Sequence, residues 1–265
     1  MMNKFNLFFA LLISVLFTSC IPTKDLIYLQ ENNDKSIVNQ SVELVNQKPY
    51  RLQVNDILNI SIKALDSRLV EIFRVNDQVS GAVNEQTAYF NGYHVDDHGN
   101  IRIPVLKEVN VLGRTLEETR IIIEQRLNNE YFTNEAGVFV VVKLAGFRYV
   151  VNGEVNSSGT KIIYQDKVNI LEAIANAGDI TITGDRKDVI VMRKFPHGTE
   201  TYHLDLTDVN AMKSQAYNLQ PNDYIYVKPL KQKTWGTGVT GVQSVATIMS
   251  AISLITTLLV LSKTL

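Results

Sequence analysis

The sequence predicts an α+β protein: small periplasmic α/β modules followed by a C-terminal transmembrane helix. Three observations point there. Between Tyr50 and Pro229, short alternating segments interleave with two stretches that carry helix-capping spacings. The amino terminus reads as an export signal. From Thr234 to Ser262 no residue is charged.

The composition narrows the function classes. The chain has 265 residues, 45% hydrophobic and 20% charged, with a formal net charge of -1. That length holds one or two domains with a real core. The apolar content is too high for a disordered chain. A near-neutral balance speaks against a nucleic-acid partner, which needs a basic face to displace counterions. The lone cysteine, Cys20, excludes a disulfide framework and a cysteine-based zinc site.

Residues 1–19 form the expected signal peptide. Lys4 supplies the positive start, Phe5 to Phe17 is apolar apart from Asn6 and Ser14, and Thr18 and Ser19 precede Cys20. Small residues before a single cysteine resemble a bacterial lipobox, whose cysteine is acylated and becomes the first residue of the mature chain. Phe17 stands where such motifs usually carry Leu. Two or three acyl chains anchor firmly because each buried methylene contributes ~0.8 kcal/mol. Residues 20–47, rich in Asn, Gln, Asp and Ser, are expected to be a polar tether.

A first module is expected over residues 48–146. Leu58, Ile60 and Ile62 alternate with Asn59, Ser61 and Lys63, as in a half-buried strand. Asp66 to Asn91 has no sustained period and reads as a long insertion or loop. Gly92 to Pro104 reads as a hairpin turning at Asp96 to Asn100, with Gly99 in the turn and Ile101, Ile103 and Val105 beyond it. Thr115 and Glu118 have the capping-box spacing for a helix to Tyr131, with Leu116, Arg120, Ile123 and Leu127 on one face. Val138 to Leu144 is a buried strand.

A second module follows over 147–230. Phe147 to Val155 is a strand with a turn at Gly153. Asn169 and Glu172 repeat the cap spacing for a helix from Leu171 to Ala177, stopped by Gly178. Asp188 to Arg193 and Glu200 to Leu206 pair around Pro196-His197-Gly198. The segment from Tyr217 to Val227 echoes that from Tyr50 to Ile60: both read Y-x-L-Q-x-N-D and then alternate. Asn55-Asp56 and Asn222-Asp223 suit tight turns, because Asn tolerates positive φ and Asp bonds nearby amides.

The tail, residues 234–263, is the expected transmembrane helix. Val242 to Leu261 would span ~30 Å, about one hydrocarbon thickness. Trp235 sits at an interfacial position. At 100° per residue, Thr240, Gln243, Thr247, Ser250, Ser253 and Thr257 share a stripe that Leu254, Leu258 and Leu261 interrupt, mainly in its second half. Small polar residues help helices pack in lipid; alternatively, the stripe lines water in a ring of helices. Lys228, Lys231 and Lys233 lie on the exported side and only Lys263 beyond, which disfavours an inner-membrane helix.

No catalytic constellation stands out. His94, His98, Asp96 and Asp97 lie on a turn, where their side chains need not converge on a metal. No phosphate loop, nucleophile elbow or HExxH helix occurs. No enzyme activity, metal or cofactor is expected.

These segments resemble the outer-membrane polysaccharide biosynthesis/export lipoprotein family. Val54-Asn55-Asp56 stands where that family carries a Pro-Gly-Asp turn, followed by the hairpin from Asp97 to Pro104 and the Gly113-Arg114-Thr115 step. Gly153-Glu154-Val155, Gly159, Leu171 to Ile174, Ala177-Gly178 and Pro221-Asn222-Asp223 resemble its soluble-ligand-binding β-grasp domain, with Asp179 where a second Gly is usual. The resemblance implies an outer-membrane lipoprotein anchored at Cys20, with its bulk in the periplasm. It implies an octamer-like ring of identical chains and an inner-membrane polysaccharide co-polymerase as partner. Exported capsular or exopolysaccharide would pass a pore lined by Gln243, Thr247, Ser250, Ser253 and Thr257. The competing expectation is a periplasmic glycan-binding module with the tail as a plain anchor.

Overall fold

The computed structural model describes residues 21–31, 49–73, 89–132, 136–195, 197–234 and 241–264. The signal peptide, Cys20, most of the tether and Trp235 lie outside them. The backbone builds two layered α+β cores joined at Leu144 to Phe147.

In the first half, β1 (Ile57–Lys63) is the centre of a three-stranded sheet, between β2 (Tyr93–His94) and β5 (Phe139–Leu144). Both neighbours run antiparallel to it, with Leu58 opposite Tyr93 and Leu144. Helix α1 (Leu116–Glu130) covers this sheet. Its capping box is complete: the Thr115 hydroxyl accepts from the Glu118 amide at 3.1 Å, and Glu118 Oε2 accepts from the Thr115 amide at 2.9 Å. The buried face is Thr119, Ile123 and Leu127. Arg120 leaves that face, because its guanidinium reaches both Glu117 and Glu124 on neighbouring turns.

The hairpin differs from expectation. β3 (Asn100–Ile103) pairs with β4 (Lys107–Asn110), not with β2. Asp96 decides this. Its carboxylate accepts from the His98 amide at 2.9 Å and the Asn100 amide at 2.8 Å, bending the chain between β2 and β3. Val105, expected on a strand, sits at φ 68° in the connection. The expected loop after Asp66 begins with a 3₁₀ segment, Ser67–Phe73, that buries Val70 and Phe73.

The second half is a five-stranded sheet in the order β7-β6-β10-β8-β9. The strands are β6 (Phe147–Gly153), β7 (Gly159–Ile163), β8 (Gly184–Phe195), β9 (Gly198–Leu204) and β10 (Tyr224–Pro229). Only β6 and β10 run parallel. Helix α2 (Ile170–Asn176) carries a second complete capping box, from Asn169 to Glu172. Its apolar face packs under the sheet, where the buried Tyr149 hydroxyl donates to the Ala173 carbonyl at 3.0 Å. Gly153 ends β6 at φ 93°, where a Cβ would lie 2.0 Å from the Val227 carbonyl oxygen, so only glycine lets β10 pass.

Two further observations concern the ends. Residues 21–31, expected in a free tether, lie against the second core: the Leu29 amide donates to Leu206 O at 3.0 Å and the Gln30 amide to Thr207 O at 2.7 Å. The tail forms helix α3 (Gly241–Thr264). Among the described residues no helix is long and apolar enough to cross a membrane. The expected transmembrane helix is therefore without support there, since Thr247, Ser250, Ser253, Thr256 and Thr257 interrupt the described side chains of α3.

Candidate functional site: twin aspartate turns and an exposed tail

The two Q-x-N-D segments fold into the same turn, at the junction of the two cores. Asn55 has φ 70° and Asn222 φ 68°. Asn is among the few side chains that accept this left-handed geometry cheaply. The carboxylate of Asp56 accepts from the Gln53 amide at 2.8 Å, and that of Asp223 from the Gln220 amide at 2.8 Å. Each turn then clips to a neighbouring strand region. Asn55 N donates to Val95 O and Val95 N to Asp56 O, both at 2.9 Å; Asn222 N donates to Arg148 O at 2.7 Å and Val150 N to Asp223 O at 3.0 Å.

The remaining carboxylate contacts differ between the turns. Asp56 accepts from the Tyr50 hydroxyl at 2.8 Å. Asp223 takes the guanidinium of Arg193 in a two-pronged pair, at 2.9 Å from Nε and 2.7 Å from Nη2. The turns also meet each other: the Asn222 side-chain amide donates to Asp56 Oδ1 at 3.2 Å, across 166 residues of sequence. Both aspartates are buried, with 4% and 1% of their surface exposed, so these donors replace water. Burial raises the Asp56 carboxyl above its ordinary value, against the lowering pull of Gln53, Tyr50 and Asn222. Burial likewise raises Asp223, opposed by Arg193. Desolvation, then the charge of Asp56, pushes the Tyr50 phenol up and holds it neutral.

Beside the turns opens a cleft of about 530 Å³, lined from the first half by Tyr50, Leu116 and Leu144 and from the second by Phe147, Glu200 and Tyr202 among others. The Arg193 guanidinium lies 5.6 Å from the centre of the Tyr202 ring and so closes one wall.

Residues 45–143 match the polysaccharide biosynthesis/export protein family, and residues 148–227 match the SLBB domain family. The chain belongs to the polysaccharide export family. Among its relatives is the EPS I polysaccharide export outer membrane protein EpsA of Ralstonia solanacearum, 28% identical over 153 residues. That alignment takes in 57% of this chain and 40% of the relative, so the chain matches less than half of the relative's length.

Where the resemblance leads one to expect Pro-Gly, Val54-Asn55 stands, and Asn55 holds the positive φ. Asp179, standing for a Gly, also has positive φ, at 73°. Gly99 and Gly178 hold φ 79° and 78° in their turns. His94 Nε2 lies 2.7 Å from the Tyr89 carbonyl oxygen, and among the described residues no cluster of His, Cys, Asp or Glu could hold a metal.

The tail helix touches neither core closely enough to bury it. Met249, Leu254, Ile255, Val260 and Leu261 are all more than half exposed. Thr247, Ser250, Ser253 and Thr257 fall in one arc of the helix, which the exposed Leu254 and Leu261 interrupt, whereas the Gln243 side chain lies outside the described residues. Ser250 donates to Ala246 O at 2.8 Å, and Thr257 to Ser253 O at 2.8 Å. The hydroxyl protons of Ser250 and Thr257 are thus satisfied inside the helix.

Sequence reasoning missed Arg193. The signal was available: it follows Val189 and Val191 at period two in β8, so it points inward with them. A charge on the inward face of a strand calls for a buried partner.

Removing that partner has a calculable cost. Asp223→Ala leaves Arg193 buried and uncompensated and is expected to cost ~3–5 kcal/mol in a denaturant melt, whereas Asp223→Leu with Arg193→Met should recover most of it. A loss below about 1 kcal/mol for the single variant contradicts the assignment.

The pH dependence has a definite sign. A carboxyl whose folded pKa lies above its unfolded value binds its proton more tightly when folded. Asp56 therefore adds stability in acid and loses it as pH rises from its ordinary 3.8 through its folded value. Asp56→Asn is expected to flatten the fall of Tm as pH rises above the ordinary carboxylate value, relative to the parent. Parallel profiles would sink this reading.

Proposed function

We propose that this chain is an outer-membrane lipoprotein, acylated at Cys20, that assembles into a ring and forms the exit channel for capsular or exopolysaccharide. One observation carries the reading beyond family membership. The tail is a helix of 24 residues with large apolar side chains exposed around it and a hydroxyl arc along one side. A helix apolar on most of its surface is stable only when covered. A ring of such helices covers itself: apolar faces meet lipid and neighbouring copies, and the arc of Thr247, Ser250, Ser253 and Thr257 faces the lumen. Assembly also answers the interruption of the apolar surface by hydroxyls, which a lone spanning helix would present to lipid.

The chemistry of transport is passive at this step. Uncharged hydroxyls, with those of Ser250 and Thr257 donating back into the helix, offer weak acceptors to a hydrated sugar polymer, so binding stays shallow. The periplasmic cores build the wall. The twin turns lock the two cores together, so that each subunit acts as one stave. Energy and the polymer itself come from an inner-membrane polysaccharide co-polymerase.

The second reading, a periplasmic glycan-binding module with the tail as an anchor, draws on the cleft between the cores. Its Tyr202 ring and Glu200 carboxylate join Gln215 and Asn218 there, a mixture suited to sugar faces and hydroxyls.

Cysteine accessibility separates the two. Thr247→Cys and Ser250→Cys should react with a membrane-impermeant thiol reagent in intact cells, while Ile248→Cys and Ile252→Cys stay protected. Deleting residues 239–265 should abolish export. Equal protection at all four positions, or normal export after the deletion, favours the anchor.

A further inference from the structure

Both ends of the folded body converge on one loop of the second core. The loop runs from Asp179 to Thr183, between α2 and β8, and the docking surface continues into the first residues of β8, Gly184 to Lys187. From the amino-terminal side, the Tyr28 hydroxyl donates to Asp179 Oδ1 at 2.5 Å, the Arg186 guanidinium lies 5.3 Å from the centre of the Tyr28 ring, and Lys187 pairs with Asp25 at 2.6 Å. Desolvation, then the Asp179 hydrogen bond, pushes the Tyr28 phenol up to about 12, as expected for a docked rather than a free side chain. From the carboxyl-terminal side, the Leu230 amide donates to Thr183 O at 2.8 Å. Lys233 pairs with Glu154 at 2.5 Å, and the same carboxylate accepts from Thr181 at 3.0 Å and Thr183 at 2.7 Å.

Between these two docking points the loop makes a tight turn, closed by Gly184 N donating to Thr181 O at 3.0 Å. Ile182 stands at its tip and is 51% exposed. Ile27, next to Tyr28, is 49% exposed. An isoleucine at a turn tip has no folding reason to be there, because a polar residue would make the same turn. Chain length fixes what lies nearby. Cys20 precedes Pro22 by two residues, a reach of at most ~7 Å. The residues between Thr234 and Gly241 allow at most ~25 Å to the start of the tail helix.

We propose that this loop, with the docked segment 21–31, is a membrane-contacting foot, in which Ile182 and Ile27 enter the boundary of the bilayer that receives the Cys20 acyl chains. The inference rests on the lipoprotein reading above and adds the surface that meets the lipid. The contact is apolar. Lys187 and Lys233 are already paired with Asp25 and Glu154, so the foot has no net basic field and needs no anionic headgroup. Asp179 is central to it. Gly at this place would hold the same φ but give Tyr28 no acceptor, leaving the segment to its contacts at Asp25, Leu29 and Gln30.

The test uses the full-length, lipidated protein in phosphatidylcholine vesicles that contain a doxyl-labelled quencher lipid. Ile182→Cys, Ile27→Cys and, as a control on α1 of the first core, Ile121→Cys each carry a nitrobenzoxadiazole label; acylation blocks the Cys20 thiol. The expected result is quenching on the order of twofold or more above the control at positions 182 and 27, unchanged by added salt. Vesicle flotation with quenching at 182 no greater than at 121 overturns the foot and leaves the lipoprotein reading intact. Failure to float overturns both. Quenching that salt abolishes replaces apolar contact with electrostatic adsorption and also overturns the proposal.

Discussion

A buried carboxylate must be surrounded by donors, and that constraint fixes the centre of this molecule. Asp56 and Asp223 each close a turn by accepting from the amide three residues earlier, and each turn clips to a strand region of its own core. Neither turn could be moved without stranding a charge away from water, at a cost of several kcal/mol. Because Asn222 also supplies a donor to Asp56, the solvation of one turn depends on the position of the other. The orientation of the two cores is thereby part of the same hydrogen-bonding problem as the turns themselves. A stave that bent at this junction would not hold a ring open, so the rigidity has a functional meaning in the channel we propose.

The sequence carried much of this. Alternation located β1 and β10, the apolar runs from Val138 and Phe147 located β5 and β6, and both capping boxes formed with the expected partners, because these signals depend on neighbours close in sequence. The repeated Y-x-L-Q-x-N-D motif marked the turns. What it could not give was their meeting, since the bond from Asn222 to Asp56 crosses two folded cores. The hairpin was misplaced for a similar reason: Asp96 uses its carboxylate to turn the chain before a ladder forms, and β4 (Lys107–Asn110) has too few apolar residues to announce itself. Arg193 went unnoticed because a strand is read by its apolar members, and its inward charge has sense only beside Asp223. The tail's periodicity was legible, but what covers a helix is not written in the helix.

The ends of the chain give the body a direction. Docking of residues 21–31 and of Leu230 to Lys233 on the same loop means that a lipid at Cys20 and a helix beginning at Gly241 would leave from one side of the second core. Asp179, where the family resemblance leads one to expect Gly, turns a conformational requirement into an attachment point. The substitution keeps the left-handed backbone and adds an acceptor for Tyr28. A single residue thus links the turn that ends α2 to the docked segment 21–31.

The central claim is that identical copies close into a ring around the tail helices. Class-averaged electron micrographs of the full-length lipidated protein in detergent test it most directly. Closed rings with a central cavity are predicted, with the second core nearest the detergent belt and the tail helices on the axis inside that belt. Uniform monomers at the same protein concentration, or chains that associate without closing, would contradict it.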